Sequence, residues 1–369
     1  MKNFGFGLMR LPLMNPEDQT SIDIEKVKEM ADEFMNQGFT YFDTASCYHQ
    51  GHSEIAFREA VVKRYPRESY TITDKLSLFM LKKGDTLEEF FAKQFEKLEV
   101  DYLDYYLVHS LDKEGYKAAK EWKAFEFVAQ KKAEGKVKHI GFSFHGDAPL
   151  LEEILNDHPE VEYVQLQINY LDWEDANIQS RRCYEIAEKY GKPVIVMEPV
   201  KGGVLANVPE EAKDLLKAKD ADKSEASWAI RFAASQKNVV MVLSGMSNME
   251  QTKDNLSYMK DFKALSDEEQ EMLQEVVRII HKDQTIACTG CRYCEEDCPK
   301  KIAIPDVFSI YNDYKRFHQK NAADTYYGNL IENHGKASDC IACGKCEKIC
   351  PQHLPIREYL KDIAKELEE

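Results

Sequence analysis

Eight short runs of β-branched and aromatic residues recur through the first 262 residues, roughly every thirty residues, and helix-like stretches separate them. The runs are FGFGLMR (4–10), FTYFDT (39–44), SYTITDKL (69–76), LDYYLVHS (103–110), VKHIGFSF (137–144), EYVQLQIN (162–169), KPVIVMEP (192–199) and NVVMVLSG (238–245). Most carry apolar residues at consecutive positions, the pattern of parallel strands covered on both faces. Between them, SIDIEKVKEMADEFMNQG, TLEEFFAKQFEKLEV and CYEIAEKYG space their apolar residues as helices do, and the first ends on a glycine stop. Eight such units predict an α/β fold, a (β/α)8 TIM-type barrel over residues 1–265. A competing arrangement puts the first run in an N-terminal hairpin and leaves the barrel one strand short. A barrel of this size buries about three quarters of its unfolded surface, so it folds without metal or disulfide help.

Chemistry in such barrels sits at the C-terminal ends of the strands, which names candidate positions in advance. Asp43 and Tyr48 follow the second strand, Lys75 ends the third and His109 the fourth. Ser143, Phe144 and His145 close the fifth, Gln167 and Asn169 the sixth, Glu198 the seventh, and Ser244 and Gly245 the eighth. Asp, Tyr, Lys and His on consecutive strand ends make an acid–base constellation. Taken singly, Tyr48, His109 and Lys75 have bland readings: a half-buried aromatic, a core histidine, a solvated lysine.

Beyond the barrel, SDEEQEMLQEVVRIIHK (266–282) reads as a linking helix opened by a Ser-x-x-Glu capping box, Ser266 and Glu269. The remaining segment, 283–369, carries Cys-x2-Cys-x2-Cys-x3-Cys-Pro twice, at 288–299 and 340–351. That spacing is the signature of two 4Fe–4S clusters of the bacterial ferredoxin kind: three cysteines on one tight loop ligate three irons, and the fourth crosses to the other cluster. One cluster then takes Cys288, Cys291, Cys294 and Cys350, and the other Cys340, Cys343, Cys346 and Cys298. Zinc competes for paired Cys-x2-Cys units but has no use for the third step and the Pro-terminated fourth cysteine. Cys47 and Cys183 read as ordinary buried thiols. The long connection between the motifs exceeds what a compact βαβ ferredoxin needs, so the tail is expected to be a small, mostly helical dicluster ferredoxin domain.

The formal net charge is −16, and no basic patch stands out, which argues against nucleic acid or an anionic membrane as partner. The N-terminus lacks the apolar core of a signal peptide, and no run of about 18 apolar residues occurs. Ten cysteines in such a chain read as reduced thiols or metal ligands, and the expected compartment is the cytoplasm.

GFGLMRLP, YFDTASCYHQGHSE, TDKL, LDYYLVHS, IGFSFHG, VQLQINY and LSGMSNMEQTKDN together resemble the aldo/keto reductase family over roughly residues 1–260. With the tail, the chain resembles that family's iron–sulfur branch. The resemblance implies reversible hydride transfer between NADH or NADPH and a small carbonyl or alcohol. It makes Tyr48 the acid, tuned by Lys75 and Asp43, with His109 orienting the substrate oxygen. A phenol of ordinary pKa, about 10, donates poorly at neutral pH, and a nearby Lys75 favours the phenolate. Buried Asp43 and Lys75 must pair, since each alone is a costly charge.

On the cofactor side the resemblance implies Ser143 and Gln167 at the carboxamide, with Ser244, Gly245, Ser247, Gln251 and Asn255 along the rest of the dinucleotide. Phe144 stands where the family often has Asn, and Met197 where many members stack a tyrosine. Met246 and Gln251 occupy the places of the family's basic grip on a 2′-phosphate, so NADH and NADPH are not told apart.

A nicotinamide gives up hydride, whereas clusters take single electrons, and flavins commonly bridge the two. A flavin is thus a conceivable further cofactor, but the chain shows no flavin motif; Gly202-Gly203 reads as a loop turn. The leading expectation is an electron-transport-linked carbonyl reductase whose clusters exchange electrons with a partner protein or flavin. Its rival is a ferredoxin-like carrier whose barrel binds a ligand or regulates without a hydride step. A third reading has the clusters only holding the tail against the barrel.

Overall fold

The computed structural model describes residues 3–282, 285–296 and 298–368. Residues 283 and 284, where the sequence places the start of the tail domain, lie outside them. The chain forms two compact units. One comprises Met1–Trp173, Ile178–Pro199 and Ala226–Ser266; the other comprises Glu174–Asn177, Val200–Glu225 and Asp267–Glu369.

The first unit is a closed, all-parallel barrel of eight strands: β1 (Phe4–Gly7), β2 (Tyr41–Asp43), β3 (Thr71–Leu76), β4 (Leu103–Leu111), β5 (Val137–Phe144), β6 (Tyr163–Gln167), β7 (Val194–Met197) and β8 (Val239–Gly245). Strand β1 pairs with both β2 and β8, Phe6 opposite Phe42 and Ser244, so it closes the barrel and takes no part in a hairpin. Strands β1, β2 and β3 are buried at every position, as the consecutive apolar runs require of strands covered on both faces.

Alternation along the strands sorts side chains. Tyr41, Leu107, Tyr163, Ile195, Met241 and Leu243 form one interior cluster. Gly141 makes room for it, because a Cβ there would stand 2.4 Å from the Tyr163 carbonyl oxygen and 2.9 Å from its ring. The alternate residues face helices. On α1 (Ile24–Asn36), Val27, Met30, Ala31 and Phe34 repeat at helical spacing, and Phe34 packs 5.2–6.3 Å, ring to ring, from Phe4, Phe6, Phe39 and Phe42. Asp23 caps α1 by accepting the Lys26 N–H at 3.2 Å. Helices α2 (Ser53–Phe57) and α3 (Leu87–Leu98) follow β2 and β3, and Thr86 caps α3 through the Glu89 N–H.

The second unit is helical around its own core. Helices Ile304–Phe317, Lys320–Ile331 and Ile356–Leu367 bury Val307, Phe308, Tyr311, Tyr327, Leu360 and Ile363, with Ile286 and Ile302. Helix Asp267–His281 belongs here too, tied to Glu210–Lys219 by Lys219–Glu268 at 2.6 Å, while Lys282 pairs with Glu211 at 2.6 Å. Among the described residues no helix is long and apolar enough to cross a membrane.

Candidate active site and cluster ligands

The two-residue period that turns Tyr41 and Thr73 inward also turns Asp43 and Lys75 inward, one step nearer the C-terminal ends of their strands. Both are buried, at 3% and 1% exposure. Lys75 Nζ donates to Asp43 and, at 2.6 Å, to the Thr44 carbonyl. Gln165, inward on β6, approaches the other Asp43 oxygen at 3.4 Å. Tyr48 opens the 3-10 turn Tyr48–Gly51, and Lys75 Nζ lies 4.8 Å from its ring centre. The His109 ring stands edge-on to Tyr48 at 6.1 Å, and its Nδ1 lies 2.7 Å from Ser77 Oγ. The four predicted residues are thus brought together.

Burial raises Asp43 and would lower Lys75, but each is the other's remedy. The carboxylate holds the ammonium above its ordinary value, so Lys75 is charged. Burial also raises Tyr48. Lys75 acts on it in the direction the sequence suggested, yet burial outweighs Lys75, so the expected net lowering of the phenol does not occur. Burial pushes His109 well below its usual value and Lys75 adds to this, leaving a neutral imidazole at pH 7. Cys47 lies 4.0 Å from His109 Nδ1, its thiol pushed up to about 11 by burial, which favours the protonated form at pH 7.

The residues expected to meet a dinucleotide fall into two neighbourhoods. Ser143 Oγ accepts the Ser110 N–H at 2.7 Å, and Gln167 Nε2 donates to Asp172 at 2.8 Å, where Asn169 also donates at 2.7 Å. Around helix Met249–Met259, Asn255 Nδ2 donates to Ser244 Oγ at 3.1 Å, and the Ser247 N–H donates to Gln251 Oε1 at 2.7 Å. Ser247 Oγ reaches the Arg10 carbonyl at 2.8 Å, and the Arg10 side chain lies along Gly245, 3.2 Å from where a Cβ would stand. Sequence reasoning missed Ser77, Gln165 and Thr44 as supports. Ser77 and Gln165 were within its reach, since each lies two residues from a candidate and shares its face.

In the second unit the eight cysteines gather as two sets of four. Cys288, Cys291, Cys294 and Cys350 line one cavity; Cys298, Cys340, Cys343 and Cys346 line another. Each set combines three cysteines of one motif with the fourth of its twin, so both cavities present a four-thiol donor set suited to a cubane cluster. The long connection explains itself here. Asn312 accepts the Ile286 N–H at 2.9 Å and donates to the Ile286 carbonyl at 2.8 Å, fixing the chain two residues before Cys288. Tyr327 accepts the Ala337 N–H at 2.8 Å, three residues before Cys340.

Barrel, tetrad and paired thiol cavities define an oxidoreductase with a separate iron–sulfur unit. Residues 3–278 match the model of the aldo/keto reductase family and residues 287–354 that of a 4Fe–4S dicluster domain. The chain belongs to the aldo/keto reductase family: it is an NAD(P)H-dependent oxidoreductase carrying two 4Fe–4S clusters. It is 23% identical to the NADH-specific methylglyoxal reductase of Escherichia coli over 66% of this chain and 85% of that one. It is 34% identical to glyoxal reductase of Bacillus subtilis over 33% of this chain and 41% of that one. Among solved structures, the holo aldo-keto reductase AKR11C1 of Bacillus halodurans matches with a TM-score of 0.59 at 22% identity, covering 74% of this chain and 91% of that one. A Klebsiella pneumoniae aldo-keto reductase in complex with NADPH matches with a TM-score of 0.57 at 17% identity, covering 74% and 90%. At these identities the structures speak for the fold.

Proposed function

We propose that the barrel reduces small carbonyl compounds, with Tyr48 as the proton donor, and that the second unit exchanges single electrons with a partner. The observation carrying the first part is the buried Lys75–Asp43 pair beneath Tyr48 beside a neutral His109. A bound nicotinamide supplies hydride to the carbonyl carbon, leaving an oxyanion that must be stabilised and protonated. His109 orients that oxygen: in the tautomer whose Nδ1 accepts from Ser77, the other ring nitrogen carries the hydrogen and can donate to substrate. Tyr48 then gives its proton, and Lys75 stabilises the phenolate left behind, since its charge favours that form. Asp43 keeps Lys75 charged and in place. Ser143, Gln167, Ser244, Gly245, Ser247, Gln251 and Asn255 would hold the dinucleotide.

Phe79, 59% exposed and 5.5 Å from the His109 ring, gives the site an apolar wall. That wall and the two reductase relatives favour short aldehydes and ketones over highly charged substrates. Cys288, Cys291, Cys294 and Cys350 would ligate one cluster and Cys298, Cys340, Cys343 and Cys346 the other. The test is anaerobic purification of the holoprotein and assay of NADH and NADPH oxidation with methylglyoxal, glyoxal and a panel of aldehydes and ketones. Turnover with at least one is expected; none with either nucleotide would overturn the reading.

A further inference from the structure

Asp74 sits between Thr73 and Lys75 on β3, and the strand's alternation turns it away from the interior, toward α2 and α3. It is wholly buried, and so is Glu54 on α2. Asp74 Oδ1 accepts the Lys75 N–H at 2.8 Å, whereas Oδ2 has no hydrogen-bond partner other than the Glu54 carboxyl within its reach. Two bare carboxylates in contact and out of water repel strongly, while a single proton between them turns the contact into a charge-assisted hydrogen bond. Both Glu54 oxygens already accept: one from Lys97 Nζ of α3 at 2.8 Å and the other from Ser46 Oγ at 2.8 Å, so the proton between the two carboxyls falls to Asp74. Other ionisable groups facing Asp74 are Lys75 beside it, the Cys47 thiol, and Tyr106 on β4, whose hydroxyl donates to Gln94 at 2.7 Å. Burial and Glu54 both drive the Asp74 carboxyl well above the carboxylate range.

The place of this pair gives it a role. Glu54 lies six residues after Tyr48 and holds Ser46, two residues before it, so it grips both flanks of the turn carrying the phenol. Asp74 adjoins Lys75 and holds its N–H, while Gln94 holds the Lys75 carbonyl at 3.0 Å. We propose that Asp74 and Glu54 share one proton, and that this hydrogen bond is a strut fixing the Tyr48 turn against the Lys75 strand. Both are positioning residues, and the proposal rests on the assignment of Tyr48 and Lys75 above.

The folded chain keeps a proton that the unfolded chain releases above the ordinary value of 3.8. Stability from the strut is therefore complete in acid and declines as pH rises toward the folded pKa. The test compares wild type, Asp74→Asn and Asp74→Ala as full-length holoprotein, by denaturant midpoint and kcat/KM across pH and by the infrared band of a protonated carboxyl. The Asn amide can still donate to Glu54 and accept from Lys75 without titrating. It is expected to abolish the infrared band, flatten the alkaline fall in stability, and keep turnover at alkaline pH where wild type fades. Asp74→Ala should lose kcat/KM at every pH, by roughly a hundredfold if Tyr48 is displaced by about 1 Å. Parallel stability curves for wild type and Asp74→Asn, or an unchanged infrared band, would overturn the shared proton. A flattened curve with identical rate profiles in all three proteins would overturn the positioning role. Failure of the Tyr48 assignment would show differently, as carbonyl turnover retained in Tyr48→Phe with the stability and infrared results intact.

Discussion

Lys75 Nζ lies 4.8 Å from the centre of the Tyr48 ring, with Asp43 and the Thr44 carbonyl occupying its other donors. The ammonium is therefore anchored before any substrate arrives, and under the proposed role of Tyr48 it would offer the phenol a fixed charge that needs no reorganisation during proton transfer.

Removing the phenolic proton while keeping the ring should separate chemistry from folding. Tyr48→Phe is expected to lower kcat/KM for carbonyl reduction by about 10²–10⁴-fold, the usual contribution of a general acid. Iron content and cluster absorbance should stay at wild-type levels. Lys75→Met behaves differently, because it strands Asp43 as an unpaired buried charge at a cost of about 3–5 kcal/mol. Adding Asp43→Asn should restore most of that stability in urea melts without restoring turnover.

The neutral His109 makes a prediction in the acid range. Its folded pKa lies well below the ordinary 6.5, so the unfolded chain takes up a proton that the folded chain refuses. Stability from this residue is complete above 6.5 and lost as pH falls below it. His49, His145 and His281 are lowered too, chiefly by burial, and share the slope. His109→Asn should therefore make the decline of the urea midpoint between pH 6.5 and 5 shallower without removing it. An unchanged slope would mean that His109 titrates normally.

The barrel and the tetrad were legible because both follow from period. Consecutive apolar runs mark strands covered on both faces, and Asp43, Lys75 and His109 stand at strand ends whatever the loops do. Tyr48 is half-buried, as a lone aromatic reads; what was not legible is that desolvation of its hydroxyl outweighs Lys75, and so the net direction of its pKa was missed. Asp74 was hidden by its neighbour: read as part of a strand ending in Lys75, it shows no reason to be wholly buried until α2 brings Glu54 against it. The compact unit that takes 174–177 and 200–225 together with the tail was equally invisible. Ion pairs such as Lys201–Asp313, at 3.1 Å, join residues more than a hundred positions apart and have no local signature.

Crossed ligation in the tail is open to a direct check. Cys298 lines the cavity of Cys340, Cys343 and Cys346, and Cys350 that of Cys288, Cys291 and Cys294. Cys298→Ala and Cys346→Ala should therefore perturb the same cluster, and Cys350→Ala and Cys294→Ala the other. Electron paramagnetic resonance of the reduced proteins reads this out, together with iron content falling toward half when a cluster is lost. Pairing of Cys298→Ala with Cys294→Ala instead would show that each motif closes its own cluster.

The last prediction concerns the connection between the motifs. Asn312 satisfies both the N–H and the carbonyl of Ile286, which is itself fully buried. Asn312→Leu is close in size but satisfies neither group, and each orphaned backbone group costs about 1–3 kcal/mol. The segment it releases leads two residues later to Cys288, so the loss should fall on that cluster first. Expected outcomes are faster iron release to a chelator from the cluster containing Cys288 and an undisturbed resonance signal from the other. Asn312→Asp, which keeps the acceptor for the Ile286 N–H but loses the donor to its carbonyl, should lie between the two. Equal release rates from wild type and Asn312→Leu would mean that the cluster, once bound, holds this segment without help from the helix.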